Sequence, residues 1–319
     1  MPAIKNYLSL IKFSHTIFAL PFAIIGFALA LTKVTIIPNA DIAWPNTIVN
    51  SNDVREIVMQ LSWQQIGIKF SSMLVCMVTA RSAAMAFNRY LDRQFDAKNP
   101  RTAIREIPSG IIKANNALAF VIINCIAFVI TTFLINRICF YLSPIALFVI
   151  LFYSYTKRFT ALCHLVLGLG LSLAPIGAYL VVTGFFSLLP ILFSIAVLFW
   201  VAGFDIIYAM QDVDFDSKEN LHSIPTFLGK ERALQLSEWL HVVSAAAIVY
   251  AGVLGHFSFV YWLAVLVFIG MLIYQHLLVK PTDLSKVNIA FMTANGIASV
   301  VFGVLVILDI AYFSYKIFI

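Results

Sequence analysis

Charge is what this chain has least of. Asp, Glu, Lys and Arg make up 11% of its 319 residues, against about 25% in an average soluble domain. That shortage excludes an ordinary water-soluble globule, because 61% of the residues are hydrophobic and the mean hydropathy is +0.94. Cysteine is also scarce, and Cys76, Cys125, Cys139 and Cys163 stand singly in or beside apolar segments. Without a CxxC pair or a zinc-ligand spacing they read as small apolar core residues. There is no low-complexity linker, so residues 1–319 read as one domain. The opening MPAIKNYLSLIKFSHTIFALPFAIIGFALA lacks a small-residue cleavage site after its apolar run. It therefore reads as a retained first helix and not as a signal peptide.

What is present is a series of long apolar runs. A spanning helix needs about 20 mostly apolar residues. Nine segments meet or approach that length, near 14–32, 65–87, 115–135, 138–156, 163–183, 187–209, 233–254, 258–279 and 288–315. The expected fold is all-α, a polytopic bundle in contact with membrane lipid. The polar break at 33–64, with Pro38, Pro45, Asn46, Asn50 and Asn52, predicts an extramembrane loop with a short interfacial helix near Trp63. A net charge of +6 would suit nucleic acid, yet the cations fall in short loops between apolar runs. Membrane topology accounts for them, and no nucleic-acid or protein partner is indicated. With nine spans, Lys33, Arg55, Lys69, Arg137 and Lys316 lie on one side and the other 16 of the 21 Lys and Arg on the opposite side. That bias places the N-terminus in the cytoplasm of a bacterial-type inner membrane.

Two acidic stretches mark the ends of apolar runs on the cation-rich side. In NRYLDRQFDAKNPRTAIR, residues 88–105, Asn88, Asp92 and Asp96 recur every four residues and share one helix face. In YAMQDVDFD, residues 208–216, Asp212 and Asp216 repeat the device. Carboxylates at i and i+4 repel unless something positive lies between them. A hard cation such as Mg²⁺ answers this, because it takes oxygen ligands and commonly shares them with substrate phosphates. Arg101, Arg105 and Lys98 supply phosphate-binding chemistry in the loop that follows, and Lys157 and Arg158 supply it from another loop. Mixed acids and cations around one pocket argue for Mg-diphosphate over a free metal; the bland reading is solvated loops with a few salt bridges. Asp205 lies two turns deeper than Asp212, as a site residue or as a partner of Tyr208 or a neighbouring helix. Asp214 lies off the Asp212/Asp216 face. His222 and Ser223 belong to a loop that caps the site, and Asp309 falls near the far interface.

The stretches NRYLDRQFDAKNPRTAIREIPSG and GFDIIYAMQDVDFD resemble the two signatures of the UbiA family of intramembrane prenyltransferases. Between them YSYTKRFTALCHLVLG is similar to the family's Lys-Arg loop and the helix after it, so the likeness spans nearly the whole chain. The resemblance implies nine helices around a cavity open to the cytoplasmic side and laterally to lipid. It also implies Mg²⁺-dependent transfer of an isoprenoid from a polyprenyl diphosphate to a small aromatic acid, 4-hydroxybenzoate or 1,4-dihydroxy-6-naphthoate, in quinone synthesis. By position, Asn88, Asp92, Asp96, Asp212 and Asp216 become metal-binding residues, the four aspartates and Lys157 catalytic. Asn88, Arg101, Arg105, Arg158, Asp205 and Tyr208 become substrate-binding. Two positions depart: Arg89 stands where many members have Asp, and His164 where Gln is common. A haem-farnesylating sister branch and a cation-coupled transporter are the alternatives.

Overall fold

The structure, a computed structural model, describes residues 2–11, 18–32 and 60–317. Lipid offers no hydrogen-bond partners, so each spanning segment satisfies its backbone internally as a helix. The elements are α1 (Pro2–Leu10), α2 (Leu20–Thr32), α3 (Trp63–Lys98), α4 (Ala114–Ile135), α5 (Arg137–Thr156), α6 (Cys163–Thr183) and α7 (Leu188–Ala209). A 3₁₀ turn (Met210–Asp212) leads to α8 (Val213–Lys218), α9 (Ile224–Leu228), α10 (Lys230–Leu254) and α11 (Phe259–Leu278). A π-helical turn (Ile289–Ala294) opens the last helix, α12 (Asn295–Ile317). Among the described residues there is no strand, as the all-α expectation requires.

Among the described residues, eight helices are long and apolar enough to cross a membrane. The first expected span, 14–32, is represented by the 13-residue α2, about 20 Å long, and residues 12–17 lie outside the described residues. Among the described residues the expected spans are therefore eight helices of spanning length and this shorter apolar one, and the expected start of the first span falls on residues outside them. The second expected span, 65–87, is part of a 36-residue helix, α3. Hydropathy falls after Phe87, but Arg, Leu, Gln, Ala and Lys are good helix formers and nothing breaks the helix before Pro100. Trp63 itself opens α3 behind Ser62, whose side chain and that of Gln65 form a capping box; a short interfacial helix before it would fall on residues outside the described ones. Most of the expected 33–64 loop, residues 33–59, lies outside the described residues.

The central helix is α7, packed against α6 and α10, while α4 and α5 present most of their surface outward. Trp200 of α7 lies in a fully buried aromatic cluster with Phe22 and Phe268, and its indole N–H donates to Asn295 Oδ1 at 2.8 Å. Asn295 in turn donates to the carbonyls of Ala290 and Phe291, both at 3.1 Å, at the π-turn. Ser237 and Ser244 donate to the Gly203 and Ala196 carbonyls of α7. Asp309 accepts from the N–H groups of Ser258 and Tyr261 at the start of α11, the end remote from the acidic motifs.

Two glycines let backbones touch. A Cβ on Gly26 of α2 would lie 2.0 Å from the Pro175 carbonyl oxygen, and one on Gly168 of α6 would lie 2.3 Å from that of Leu198. Backbone cannot step aside as a side chain can. Gly26→Ala is therefore expected to cost about 1 to 3 kcal/mol by overpacking, read as a fall in melting temperature in detergent. Gly270→Ala on α11, with nothing within 4 Å of its Cβ, should not lower it. Equal behaviour of the two variants would refute this packing account.

Candidate active site

The first motif reaches its place because α3 continues past its apolar stretch, presenting Asn88, Asp92 and Asp96 on successive turns. The chain then turns at Asn99. Thr102 Oγ1 donates to the Asp96 carbonyl at 3.1 Å, folding the Arg101–Arg105 loop back over the helix end. The second motif is not one straight helix. After α7 the 3₁₀ turn re-aims the chain, so Asp212 ends the turn while Asp216 sits in α8. Lys157 and Arg158 follow directly on α5 and lie between the two motifs.

Each motif aspartate has one cationic partner. Arg158 Nη2 is 3.3 Å from Asp92 Oδ1, Arg105 Nη1 2.6 Å from Asp96 Oδ1, Arg101 Nη2 2.5 Å from Asp212 Oδ2, and Lys157 Nζ 2.8 Å from Asp216 Oδ1. These pairs tie the halves of the chain together, since Arg101 crosses to the second motif and the Lys157–Arg158 dipeptide holds one carboxylate from each. Arg101 also donates to the Tyr208 hydroxyl at 3.0 Å, its guanidinium 5.5 Å from the ring centre. Asn88 Nδ2 donates to Asp92 Oδ2 at 3.1 Å. All of Asn88, Asp92, Asp96, Arg101, Arg105, Lys157, Arg158, Tyr208, Asp212 and Asp216 therefore belong to one connected cluster.

Burial weighs against charge throughout this cluster. It opposes the Lys157 ammonium, but Asp216 and Asp212 outweigh it and hold the lysine above its ordinary value. At Asp92, burial and then the negative charge of Asp96 push the carboxyl above its ordinary value, and Arg158 and Lys157 only partly offset them. Asp216 is 1% exposed, and its contact with Lys157 is an ion pair without aligned hydrogen-bond geometry.

Other positions sharpen or correct the sequence reading. Asp205 is bonded to His164 at 2.7 Å, a neighbouring-helix partner and not Tyr208. Asp214 is exposed. His222 N–H donates to the Lys157 carbonyl at 2.7 Å and Ser223 caps α9, so this loop does lie against the site. Lys98 pairs with Glu219 at 2.6 Å, bracing the site from outside. Arg89 reaches neither the interface nor the cluster's open face: it is 4% exposed, with Asp96, Glu106 and Arg105 in electrostatic reach. It shares the buried face of α3 with Ser82, Ala86 and Asp96.

Beside the cluster lies an apolar cavity of about 380 Å³ walled by α3, α4, α5 and α6. Arg81 and Tyr153 are its polar edge, and neither was singled out as a site residue from sequence. The signal for Arg81 was its place within an apolar run, seven residues before Asn88 and hence on nearly the same helix face.

The donor set bears on a metal directly. Every candidate ligand is an oxygen donor, which suits a hard divalent cation. Asp96 Oδ2 and Asp216 Oδ2 are buried without a hydrogen-bond partner, the other oxygen of each carboxylate being the one that meets Arg105 or Lys157. Such oxygens are costly unless something positive meets them. Among the described residues no group of three or more His, Cys, Asp or Glu converges at ligand distance, because each carboxylate is turned to its own cation. The residues fit Mg²⁺ chemically, as two facing pairs.

The model of the UbiA prenyltransferase family matches residues 58–297. A 4-hydroxybenzoate octaprenyltransferase of Tolumonas auensis is 30% identical over 223 residues, covering 70% of this chain and 78% of that protein. The apo structure of a UbiA homolog from Aeropyrum pernix K1 aligns with a TM-score of 0.75 at 28% identity, over 92% of this chain and 98% of that one. A UbiA homolog from Archaeoglobus fulgidus, solved bound to GPP and Mg²⁺, shares the fold with a TM-score of 0.65 at 21% identity, over 96% and 99%.

The raised Asp92 carboxyl carries a linkage consequence. Its charge is less favourable in the folded chain than in the unfolded one, a penalty absent below the ordinary value of 3.8, growing as pH rises from there to the folded value, and fully present above it. Asp92→Asn is thus expected to melt above the parent at pH 7, the gap closing as pH falls toward 4. A variant melting below the parent at pH 7 would contradict this.

Proposed function

Because the chain belongs to the UbiA prenyltransferase family, we propose that it transfers a polyprenyl chain from polyprenyl diphosphate to 4-hydroxybenzoate in quinone synthesis. The observation that carries this reading is the set of four carboxylate–cation pairs joining both acidic motifs through the Lys157–Arg158 loop. The names of the 30%-identical relatives support the aromatic acid. 1,4-Dihydroxy-6-naphthoate remains the second acceptor to be tried. The GPP and Mg²⁺ bound by the Archaeoglobus homolog support the donor and the metal. Residues 1–319 act as one domain in an inner membrane, with the site on the cytoplasmic face, in line with the Lys and Arg bias.

In this reading Asn88, Asp92 and Asp96 hold metal from one side, and Asp212 and Asp216 from the other. When bound, Mg²⁺ supplies positive charge against the leaving diphosphate. Arg101, Arg105, Lys157 and Arg158 exchange their carboxylate partners for diphosphate oxygens, Arg contributing forked contacts and Lys a point charge. Aspartates relieved of their cations are met by the metal, so neither set is left uncompensated. These cations stabilise the charge that develops on the leaving group, which is where preorganised electrostatics lower a barrier. The apolar cavity receives isoprenoid carbons and keeps water from the allylic cation. Arg81 in its wall suits an acceptor carboxylate, and Asp205 and Tyr208 complete the substrate-binding set.

The test is turnover by purified protein in detergent with Mg²⁺, a polyprenyl diphosphate and each acceptor in turn, haem included, read as product mass. Prenylated 4-hydroxybenzoate is expected, together with losses of at least about 100-fold in Asp92→Ala and Asp212→Ala and a raised acceptor KM in Arg81→Leu. Absence of product with every aromatic acceptor, or retained turnover in both aspartate variants, would overturn the reading. Farnesylated haem would replace it with the sister branch.

A further inference from the structure

Inside the bundle, deeper than the diphosphate cluster, His164 of α6 and Asp205 of α7 form a pair that the cluster does not use. His164 Nδ1 lies 2.7 Å from Asp205 Oδ2, and its Nε2 lies 3.3 Å from the backbone N–H of Ile224. A backbone amide only donates, so Nε2 accepts and the ring proton sits on Nδ1, where it is donated to Asp205. The histidine side chain is 3% exposed and the aspartate 20% exposed. One carboxylate oxygen is thereby pinned from behind while the group keeps an open side. Tyr153, which lines the apolar cavity, lies within electrostatic reach of both Asp205 and Asp92. Asp205 thus lies near both a wall residue of the cavity and an acid of the diphosphate cluster.

Charge partners separate Asp205 from the other site acids. Asp92, Asp96, Asp212 and Asp216 are each turned onto an Arg or Lys, and among the described residues no Arg or Lys lies at ion-pair distance from Asp205. Asp205 has a histidine N–H instead. That histidine is also held at its other nitrogen by the start of α9, beside the His222 backbone that bonds Lys157. Both ring nitrogens are engaged, so the imidazole plane and the Asp205 rotamer are fixed together.

We propose that His164 is a positioning residue for the reaction, orienting Asp205 so that its open oxygen takes the hydroxyl proton of the aromatic acceptor. This rests on the aromatic-acceptor reading above. As Asp205 takes that proton, a ring carbon forms the new carbon–carbon bond with the allylic carbon, whose bond to diphosphate oxygen breaks with its electron pair leaving on oxygen. The ring carbon then loses its hydrogen as a proton and the ring oxygen regains one, restoring aromaticity. The net proton leaves with the diphosphate, and no oxidant or reductant is required.

The experiment measures kcat, both KM values and melting temperature for the full chain and for His164→Leu, His164→Gln and Asp205→Asn. His164→Leu should lower kcat about 10- to 100-fold, part of the 10²- to 10⁴-fold that a placed proton acceptor contributes, with the prenyl diphosphate KM within about twofold. His164→Gln should recover most of the loss, because an amide donates from nitrogen and accepts at oxygen as the histidine does. Asp205→Asn should lose at least about 100-fold in kcat, its amide oxygen still accepting from His164. Unchanged kcat in Asp205→Asn or His164→Leu, or a loss confined to the diphosphate KM, overturns the proposal alone. So does failure of a normally melting His164→Gln to recover. If His164→Leu does not fold, the Gln and Asn variants decide. A parent chain that prenylates no aromatic acceptor overturns the underlying reading and this proposal together.

Discussion

Carboxylates gathered at a membrane boundary are tolerable only if each is neutralised, and that constraint organises the site. Asp92, Asp96, Asp212 and Asp216 would repel one another and would each lose hydration on burial. The chain meets this with four cations from two loops, one to each acid. The same arrangement is poised for exchange. In the proposed reaction a polyanion would take the cations and a divalent metal the acids, so that binding would replace one set of compensated charges by another.

The fold serves this exchange by bringing distant segments to one end of the bundle. The long α3 carries its acids beyond the apolar stretch, the 3₁₀ turn after α7 re-aims the second motif, and the loop after α5 reaches both. Close backbone contacts at Gly26 and Gly168 set how near α2, α6 and α7 approach. The apolar cavity opens between helices that are less tightly buried than α7. A deeply buried central helix thus leads into the second motif, and more peripheral helices wall the apolar cavity.

Much of this was legible in the residues because two strong periodicities carry it. Apolar runs of spanning length announced the helices, and the four-residue spacing of Asn88, Asp92 and Asp96 announced a shared face that α3 keeps. Hydropathy located the membrane and not the helix, which is why α3 runs 11 residues beyond its expected end at 87. Which cation meets which acid was not legible, since Arg101 and Asp212 are 111 residues apart and only tertiary packing selects their pairing. Arg89 stood out in the sequence only as a departure from the family pattern. It is buried because its helix face turns toward α4 and the 105–112 loop, where Ala83 and Ala86 pack with Ile107, Ile112 and Ala117. His164 stood out in the sequence only as a departure from the family's Gln, because its partners, Asp205 and Ile224, lie 41 and 60 residues away.

Partner exchange is tested most directly by calorimetric binding of a prenyl diphosphate to the purified chain, with and without Mg²⁺, in the parent and in Asp212→Asn. Removing that carboxylate frees Arg101 for the anion while taking away a metal ligand. The account predicts that Asp212→Asn binds the diphosphate at least as tightly as the parent without Mg²⁺, and loses much of the gain in affinity that Mg²⁺ gives the parent. Equal weakening under both conditions, or an undiminished Mg²⁺ gain, would contradict it.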